Sequence, residues 1–253
     1  MNTYKPNPLI VEEALSSNST LFELAQHYRE LPQLYSVIVQ RQTAGRGQRG
    51  NSWHSEERQS LTFSFLIRSS GLLASEQYAV SELAAYGVMK TLARYLPEEK
   101  KPLLSIKWPN DIYYEERKIA GILIEHSITG THIDYSVVGI GININEESFP
   151  EHLPNPISLR QITGECYDLD AVHARIMKRF GFMIEPFLMG NYSEVHQRCM
   201  SRLFRRRGLH KYRDANGVFL AEIKDVLPSG QIVLATEEGE LRTYTFKEVN
   251  VEL

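Results

Sequence analysis

Only two cysteines occur among the 253 residues, Cys166 and Cys199, and they are not spaced as a Cys-x-x-Cys pair. That excludes a disulfide framework and favours unpaired thiols in a reducing cytoplasm. The eight histidines share no ligand spacing, so no transition metal is expected. No apolar run is long enough to cross a bilayer, and the first eight residues lack the apolar core of a targeting segment. Net charge is only −3, from 28 basic and 31 acidic side chains, so no general affinity for nucleic acid or membrane is implied. Internal repeats and low-complexity tracts are absent, as are a Walker A loop and a Gly-x-Gly-x-x-Gly turn at the mouth of a helix. What remains is an ordinary soluble composition, 42% hydrophobic with a mean hydropathy of −0.31. It suits one large domain, or one domain with a small appendix.

One absence is local. No Asp or Glu lies between Glu30 and Glu56, and inside that gap residues 42–53 read Gln-Thr-Ala-Gly-Arg-Gly-Gln-Arg-Gly-Asn-Ser-Trp. Gly45, Gly47 and Gly50 let the backbone approach a ligand, and successive N–H groups make an anion-binding concavity. Arg46 and Arg49 add planar donors suited to phosphate and carboxylate. A flexible surface loop or an RNA-binding Arg-Gly segment would share this composition. The flanks decide: Leu34 to Gln40 is a short apolar, β-branched run, and Leu61, Phe63, Phe65 and Ile67 alternate with Thr62, Ser64 and Arg68 as in a half-buried strand. A lid between strands fits that frame better than a disordered tail.

A second constellation is Lys107-Trp-Pro-Asn-Asp111 followed by Arg117-Lys-Ile-Ala-Gly121 and on to Glu125. Pro109 cannot donate to a ladder, so the strand through Ile106 should end there or lie at a sheet edge. Asn110 and Asp111 offer hard oxygens for Mg²⁺ on a turn, and a hairpin through residues 114–117 would bring Lys107, Asp111 and Lys118 toward one site. Each of these residues alone is ordinary turn or strand-end chemistry; together, beside a Gly/Arg lid, they are not. A third piece, Gly139-Ile-Gly-Ile-Asn143, is a strand whose glycines mark a bulge or close backbone approach by a ligand. Asn143 either contacts that ligand or caps the strand. A fourth, Leu15-Ser-Ser-Asn-Ser-Thr20, precedes a helical pattern with Thr20 and Glu23 spaced as a capping box, which by itself would explain the hydroxyls. A helix start also offers free N–H groups to a small anion.

Strands and helices mix without strict alternation, which points to α+β. Val80, Leu83, Ala84, Gly87, Val88, Leu92 and Tyr95 recur at helical spacing, as do Val172, Ile176, Phe180, Met183, Ile184 and Phe187. The methionine there reads as core. A loop at residues 150–156 leads into the second helix. After Arg205-Arg-Arg207, taken as a solvated boundary, turns separate short β runs near 218–227, 231–236 and 241–246, a small all-β module of about 45 residues.

Taken in order, Ser16-Ser-Asn18, Gln42 with Gly45-Arg-Gly-Gln-Arg-Gly50 and Trp53, Lys107-Trp-Pro-Asn-Asp111 with Arg117-Lys-Ile-Ala-Gly121, and Gly139-Ile-Gly-Ile-Asn143 resemble the biotin protein ligase family. The match covers residues 9–145. Ser17 stands where the family more often has Thr, and Gln48 and Asn51 where many members carry Arg. The resemblance implies an α+β catalytic domain over residues 1–204, a mixed sheet packed with helices, and an SH3-like β barrel over 205–253 beside the site. It implies activation of biotin by ATP to biotinyl-5′-AMP, then transfer to a lysine of a biotin carboxyl carrier protein, with Mg²⁺. Ser16, Ser17, Asn18, Gln42, Gly47 and Gln48 would bind biotin with Arg46 and Lys118; Arg46, Arg49, Trp53, Lys107, Asn110, Lys118 and Asn143 would bind ATP. Lys118 and Arg46 would carry the first step, Asp111 would be the base of the second, and Asn110 with Asp111 would hold the metal. A lipoate–protein ligase is the alternative acyl-adenylating reading. A DNA-binding repressor is not expected from the 15 residues before Ser16, and a homodimer is compatible with the resemblance.

Overall fold

The computed structural model describes residues 7–252 apart from Glu56 and Ser70, and of Arg49 the backbone only. Strands β1 (Leu9–Ala14), β2 (Ser36–Gln42), β3 (Ser60–Arg68), β4 (Leu104–Lys107), β5 (Asp111–Tyr114), β6 (Arg117–Thr129) and β7 (His132–Asn143) form a seven-stranded sheet. Its order is β1-β2-β3-β7-β6-β5-β4. The β1–β2 pair is parallel and the rest are antiparallel; of the neighbouring strands, β1 and β2 are the pair joined by an α-helical crossover, α1 (Ser17–His27). Helices α2 (Tyr78–Leu92), α3 (Leu159–Thr163), α4 (Leu169–Leu188) and α5 (Tyr192–Met200) complete this part of the chain.

β3 organises the two faces. Leu61, Phe63, Phe65 and Ile67 enter the main core with α2 and α4, at roughly 2 kcal/mol for each side chain fully buried. The expectation of a solvated opposite face is corrected: Thr62 and Ser64 are buried as well, since α1 covers that side with Leu21 and Ala25 against Val37, Leu66 and Val137. α2 is buried around most of its circumference rather than amphipathic, because α4, α5 and the sheet all pack on it. A Cβ on Gly87 would lie 2.5 Å from the Phe180 ring, so glycine sets how closely α2 and α4 approach.

The N-terminal helix begins a turn earlier than the Thr20–Glu23 spacing indicated. Ser16 is the N-cap, its hydroxyl accepting from the Ser19 N–H, and Thr20 lies inside α1 donating to the Ser16 carbonyl. This start turns Ser17 and Asn18 onto the sheet, where tertiary bonds hold them.

The C-terminal segment makes a second sheet from β8 (His210–Asp214), β9 (Gly217–Val226), β10 (Ile232–Thr236), β11 (Leu241–Tyr244) and β12 (Asn250–Val251), all antiparallel in the order β11-β10-β9-β8-β12. The mixed sheet with helices and the small all-β appendix are the architecture expected. Arg205 and Arg206 correct the reading of a solvated boundary. Arg205 pairs with Glu116 at 2.8 Å and donates to the Glu252 carbonyl, while Arg206 donates to the Ile223 carbonyl at 2.6 Å. Arg205 ties the small sheet to the turn before β6, and Arg206 holds the connecting segment to β9.

Candidate active site

The four motifs, distant in sequence, meet at one cavity of about 190 Å³ over the α1-covered face of the sheet. Ser16, Ser17 and Asn18 reach it from the start of α1 and Gln42 from the end of β2. Arg46, Gly47, Gln48 and Trp53 come from the Gly/Arg loop, and Lys107, Asn110, Asp111 and Lys118 from the β4–β5–β6 hairpins. Asn143 is not among the lining residues. Its buried amide donates to the carbonyls of Lys118 at 3.3 Å and Ile157 at 3.1 Å, so it fixes the strand carrying Lys118. The side chain of Arg49 lies outside the described residues.

A connected polar chain runs beneath the cavity. The Gln42 carboxamide oxygen accepts from the Ser17 N–H at 2.8 Å. The Ser64 hydroxyl lies 2.8 Å from Ser17 Oγ and 2.6 Å from Asn18 Oδ1. A hydroxyl has one proton, and Asn18 Oδ1 can only accept, so that proton goes to Asn18. Asn18 in turn donates from Nδ2 to the Leu123 carbonyl at 3.1 Å and to Glu125 at 2.9 Å. The same Glu125 oxygen accepts from Arg46 at 2.9 Å, and Arg46 also donates to Ser19 at 3.2 Å. Sequence reasoning missed Glu125 and Ser64 as site residues. Ser64 read as one of the polar positions of an alternating strand and Glu125 as the polar end of an apolar run.

Side chains of the protein lie directly against the strand glycines. A Cβ on Gly141 would fall 2.2 Å from the Trp53 indole and one on Gly121 2.9 Å from it, and these two glycines are registered partners across β6 and β7. A Cβ on Gly139 would fall 2.0 Å from Asn18 Oδ1. The Trp53 Nε1 is buried and has no hydrogen-bond partner among the described residues.

At the hairpins, β4 ends at Lys107 and is the sheet edge, as Pro109 required. A register shift in the β5–β6 pairing leaves Ile119 as an extra residue and turns Lys118 toward Gly121. Lys118 Nζ sits 2.8 Å from Asp111 and 5.6 Å from the Trp53 ring. Lys107 instead donates to the Tyr113 hydroxyl at 3.0 Å. Of the two residues expected to hold Mg²⁺, Asp111 faces the Lys118 ammonium and Asn110 donates from Nδ2 to the Ile122 carbonyl; among the described residues no group of three or more His, Cys, Asp or Glu could hold a metal.

Within the loop, Gly47 donates to the Asn51 carbonyl at 2.6 Å and Trp53 to the Gly45 carbonyl at 2.9 Å. Gly45 is needed because a Cβ there would lie 2.5 Å from the Trp53 carbonyl oxygen. Gly47 is extended at φ −108°, and only Gly50, at φ +87°, occupies the left-handed region. The small sheet supplies the far wall with Tyr212, Phe246 and Val249, and the Trp108 indole donates to the Gly230 carbonyl at 2.9 Å.

A model of the Biotin/lipoate A/B protein ligase family matches residues 11–143. The bifunctional ligase/repressor BirA of Bacillus subtilis is 29% identical over 242 residues, covering 94% of this chain and 72% of that protein. A biotin–[acetyl-CoA-carboxylase] ligase of Paracoccus denitrificans is 32% identical over 137 residues, 52% of this chain and 55% of that one. Among solved structures, the biotin protein ligase of Aquifex aeolicus in complex with biotin and ATP superposes with a TM-score of 0.76 at 26% identity, covering 98% and 99% of the two chains.

Proposed function

The chain belongs to the biotin/lipoate A/B protein ligase family, and on that premise we propose that it is an ATP-dependent biotin protein ligase acting on a biotin carboxyl carrier protein. The observation that carries the reading is the convergence of Ser16–Asn18, Gln42, Arg46, Trp53, Asp111 and Lys118 on one cavity. The relatives named for biotin, along nearly the whole chain in the Aquifex aeolicus structure, favour biotin over lipoate.

In the first step a biotin carboxylate oxygen attacks the α-phosphorus of ATP, a carbon–oxygen–phosphorus anhydride forms, and pyrophosphate leaves. Two anions must meet, so fixed cations lower the barrier. Arg46 and Lys118 line the cavity and serve the carboxylate and α-phosphate; Lys107 and Asn110 serve the remaining phosphates. Mg²⁺ arrives with the nucleotide as part of the substrate. Ser16, Ser17, Asn18 and Gln42 hydrogen-bond biotin, Gly47 and Gln48 close over it, and Trp53 gives the adenine a flat face. The mixed anhydride is destroyed by water, which a closed loop excludes.

In the second step the neutral amine of the acceptor lysine attacks the acyl carbon, AMP leaves and one proton is lost. Asp111 takes that proton once Lys118 turns to the phosphate, since the pair at 2.8 Å then separates. The decisive experiment is mass spectrometry of a biotin carboxyl carrier domain after incubation with this protein and MgATP plus either biotin or lipoate. Biotinylation of one lysine is expected; modification by lipoate alone would overturn the assignment.

A further inference from the structure

A second cavity, of about 360 Å³, opens on the opposite side of the large sheet, between the end of α2 and the outer face of α4. Thr91, Arg94, Arg175, Lys178, Arg179 and Phe182 line it. The sheet and its core separate it from the active site: Phe180 of α4 packs on Phe65, whereas Ser64 on the reverse face of β3 meets Asn18.

The four cations have no counter-charge. No carboxylate lines the cavity, and none of the four has a hydrogen bond or ion pair to another described residue. Arg175 only stacks over the Tyr95 ring, 4.8 Å from its centroid, which leaves its donors free. Arg29, Arg202 and Arg207 also lack a carboxylate partner among the described residues, but they do not line this hollow, and many arginines of the chain are paired. Arg41, Arg46, Arg160, Arg198, Arg205, Arg213 and Arg242 each face a carboxylate. One cation at the end of α2 would complement the helix dipole, a role Arg94 can fill. Three more around the same hollow repel one another, and a chain of net charge −3 has carboxylates enough to pair them.

We propose that this cavity is an anion-binding site whose ligand is a small, multiply phosphorylated organic molecule. Guanidinium forks match phosphate oxygens in pairs, and Lys178 adds a mobile point charge. The volume falls in the range of roughly 300–1,000 Å³ of small-ligand sites. Phe182, 70% exposed at the rim, offers a flat apolar face to the organic part of the ligand. Concavity and size favour a small molecule over a flat acidic protein surface.

The test is calorimetric titration of the full chain with inositol hexakisphosphate at about 0.15 M ionic strength, where unrelated surface charge is screened beyond roughly 8 Å. Arg175→Ala/Arg179→Ala and, separately, Lys178→Ala should weaken binding, the double variant by at least roughly tenfold. Both should keep the wild-type rate of biotin transfer, because these side chains do not line the active site, and Lys178→Ala should keep the wild-type melting temperature; the double variant loses only the Arg175 stack on Tyr95. Arg46→Ala should bind the probe as wild type does. No binding by the wild-type chain, equal binding by the double variant, or loss of binding in Arg46→Ala would overturn the proposal. Tighter binding of polyglutamate than of the hexakisphosphate would also overturn it, in favour of an acidic protein partner.

Discussion

Glu125 holds two groups of opposite purpose: the neutral Asn18 amide at 2.9 Å and the Arg46 guanidinium at 2.9 Å, both on one carboxylate oxygen. With Glu125 as acceptor, Asn18 is fixed with Nδ2 toward β6 and Oδ1 toward Ser64, so its amide cannot flip. With the same oxygen, Arg46 has a resting place that it must leave to meet a phosphate. Glu125→Gln keeps the size, removes the charge, and lets the side-chain amide compete as a donor. Biotin affinity is expected to fall about tenfold, about 1.4 kcal/mol, with little change in thermal melting, because Glu125 is partly exposed. Titration calorimetry with biotin alone measures this before any nucleotide is present. Affinity equal to wild type would show that the Asn18 orientation is set by Ser64 and the Leu123 carbonyl without Glu125.

At the scale of elements, the Gly/Arg loop depends on two of its three glycines for different reasons, and Gly47 is the least demanding. Gly50 stands at φ +87° with open space around it, so a side chain there suffers from its backbone conformation rather than from contacts. Gly50→Val should cost about 1–2 kcal/mol in the folded loop, whereas Gly47→Ala meets only the Asn51 side chain and its carbonyl at 3.2–3.3 Å. Backbone amides of residues 43–51 should exchange slowly once biotin and ATP are added to the wild type; Gly50→Val should lose most of that protection and Gly47→Ala keep it. Equal exchange with and without ligands in the wild type would mean that the loop does not close. The loop, its flanking strands, the turn before β6 and the two long helices were legible because each has a strong local signature of alternation, helical spacing or turn residues, whereas Asp111–Tyr114, read as starting on a turn, is a strand lying between β4 and β6. β1 went unread because Leu9-Ile-Val-Glu-Glu-Ala14 is too short and too exposed to show a pattern. β8 carries mostly polar side chains, and β12 is two residues long and exists only through pairing with β8. The site residues were legible as motifs, but not the Trp53 indole on Gly121 and Gly141, because contacts between segments so far apart in the chain leave no local periodicity.

For the whole molecule, the large sheet, its helices and the small sheet are joined by polar contacts as well as apolar ones. His196 of α5 reaches Glu82 of α2 at 2.7 Å and Asp225 of β9 at 3.1 Å, and burial pushes the Glu82 carboxyl up from its ordinary value. Two other histidines are held neutral by burial. His173 of α4 lies edge-on to Phe63 at 4.9 Å with Nε2 lacking a partner among the described residues, and His126 of β6 bonds Ser136 at 2.8 Å. Burial lowers both from 6.5 to about 4. The folded protein therefore keeps them neutral where the unfolded chain already takes up protons. The stability they contribute is fully present above pH 6.5 and is lost as pH falls toward 4. Between pH 7 and 5 the loss should be about 2 kcal/mol for each histidine. Urea unfolding of the wild type at both pH values should show the sum, and His173→Leu, which cannot take up a proton, should lose about 2 kcal/mol less over the same interval. An identical loss in the variant and the wild type would mean that His173 is protonated in the folded state at pH 5 and contributes nothing to the acid sensitivity.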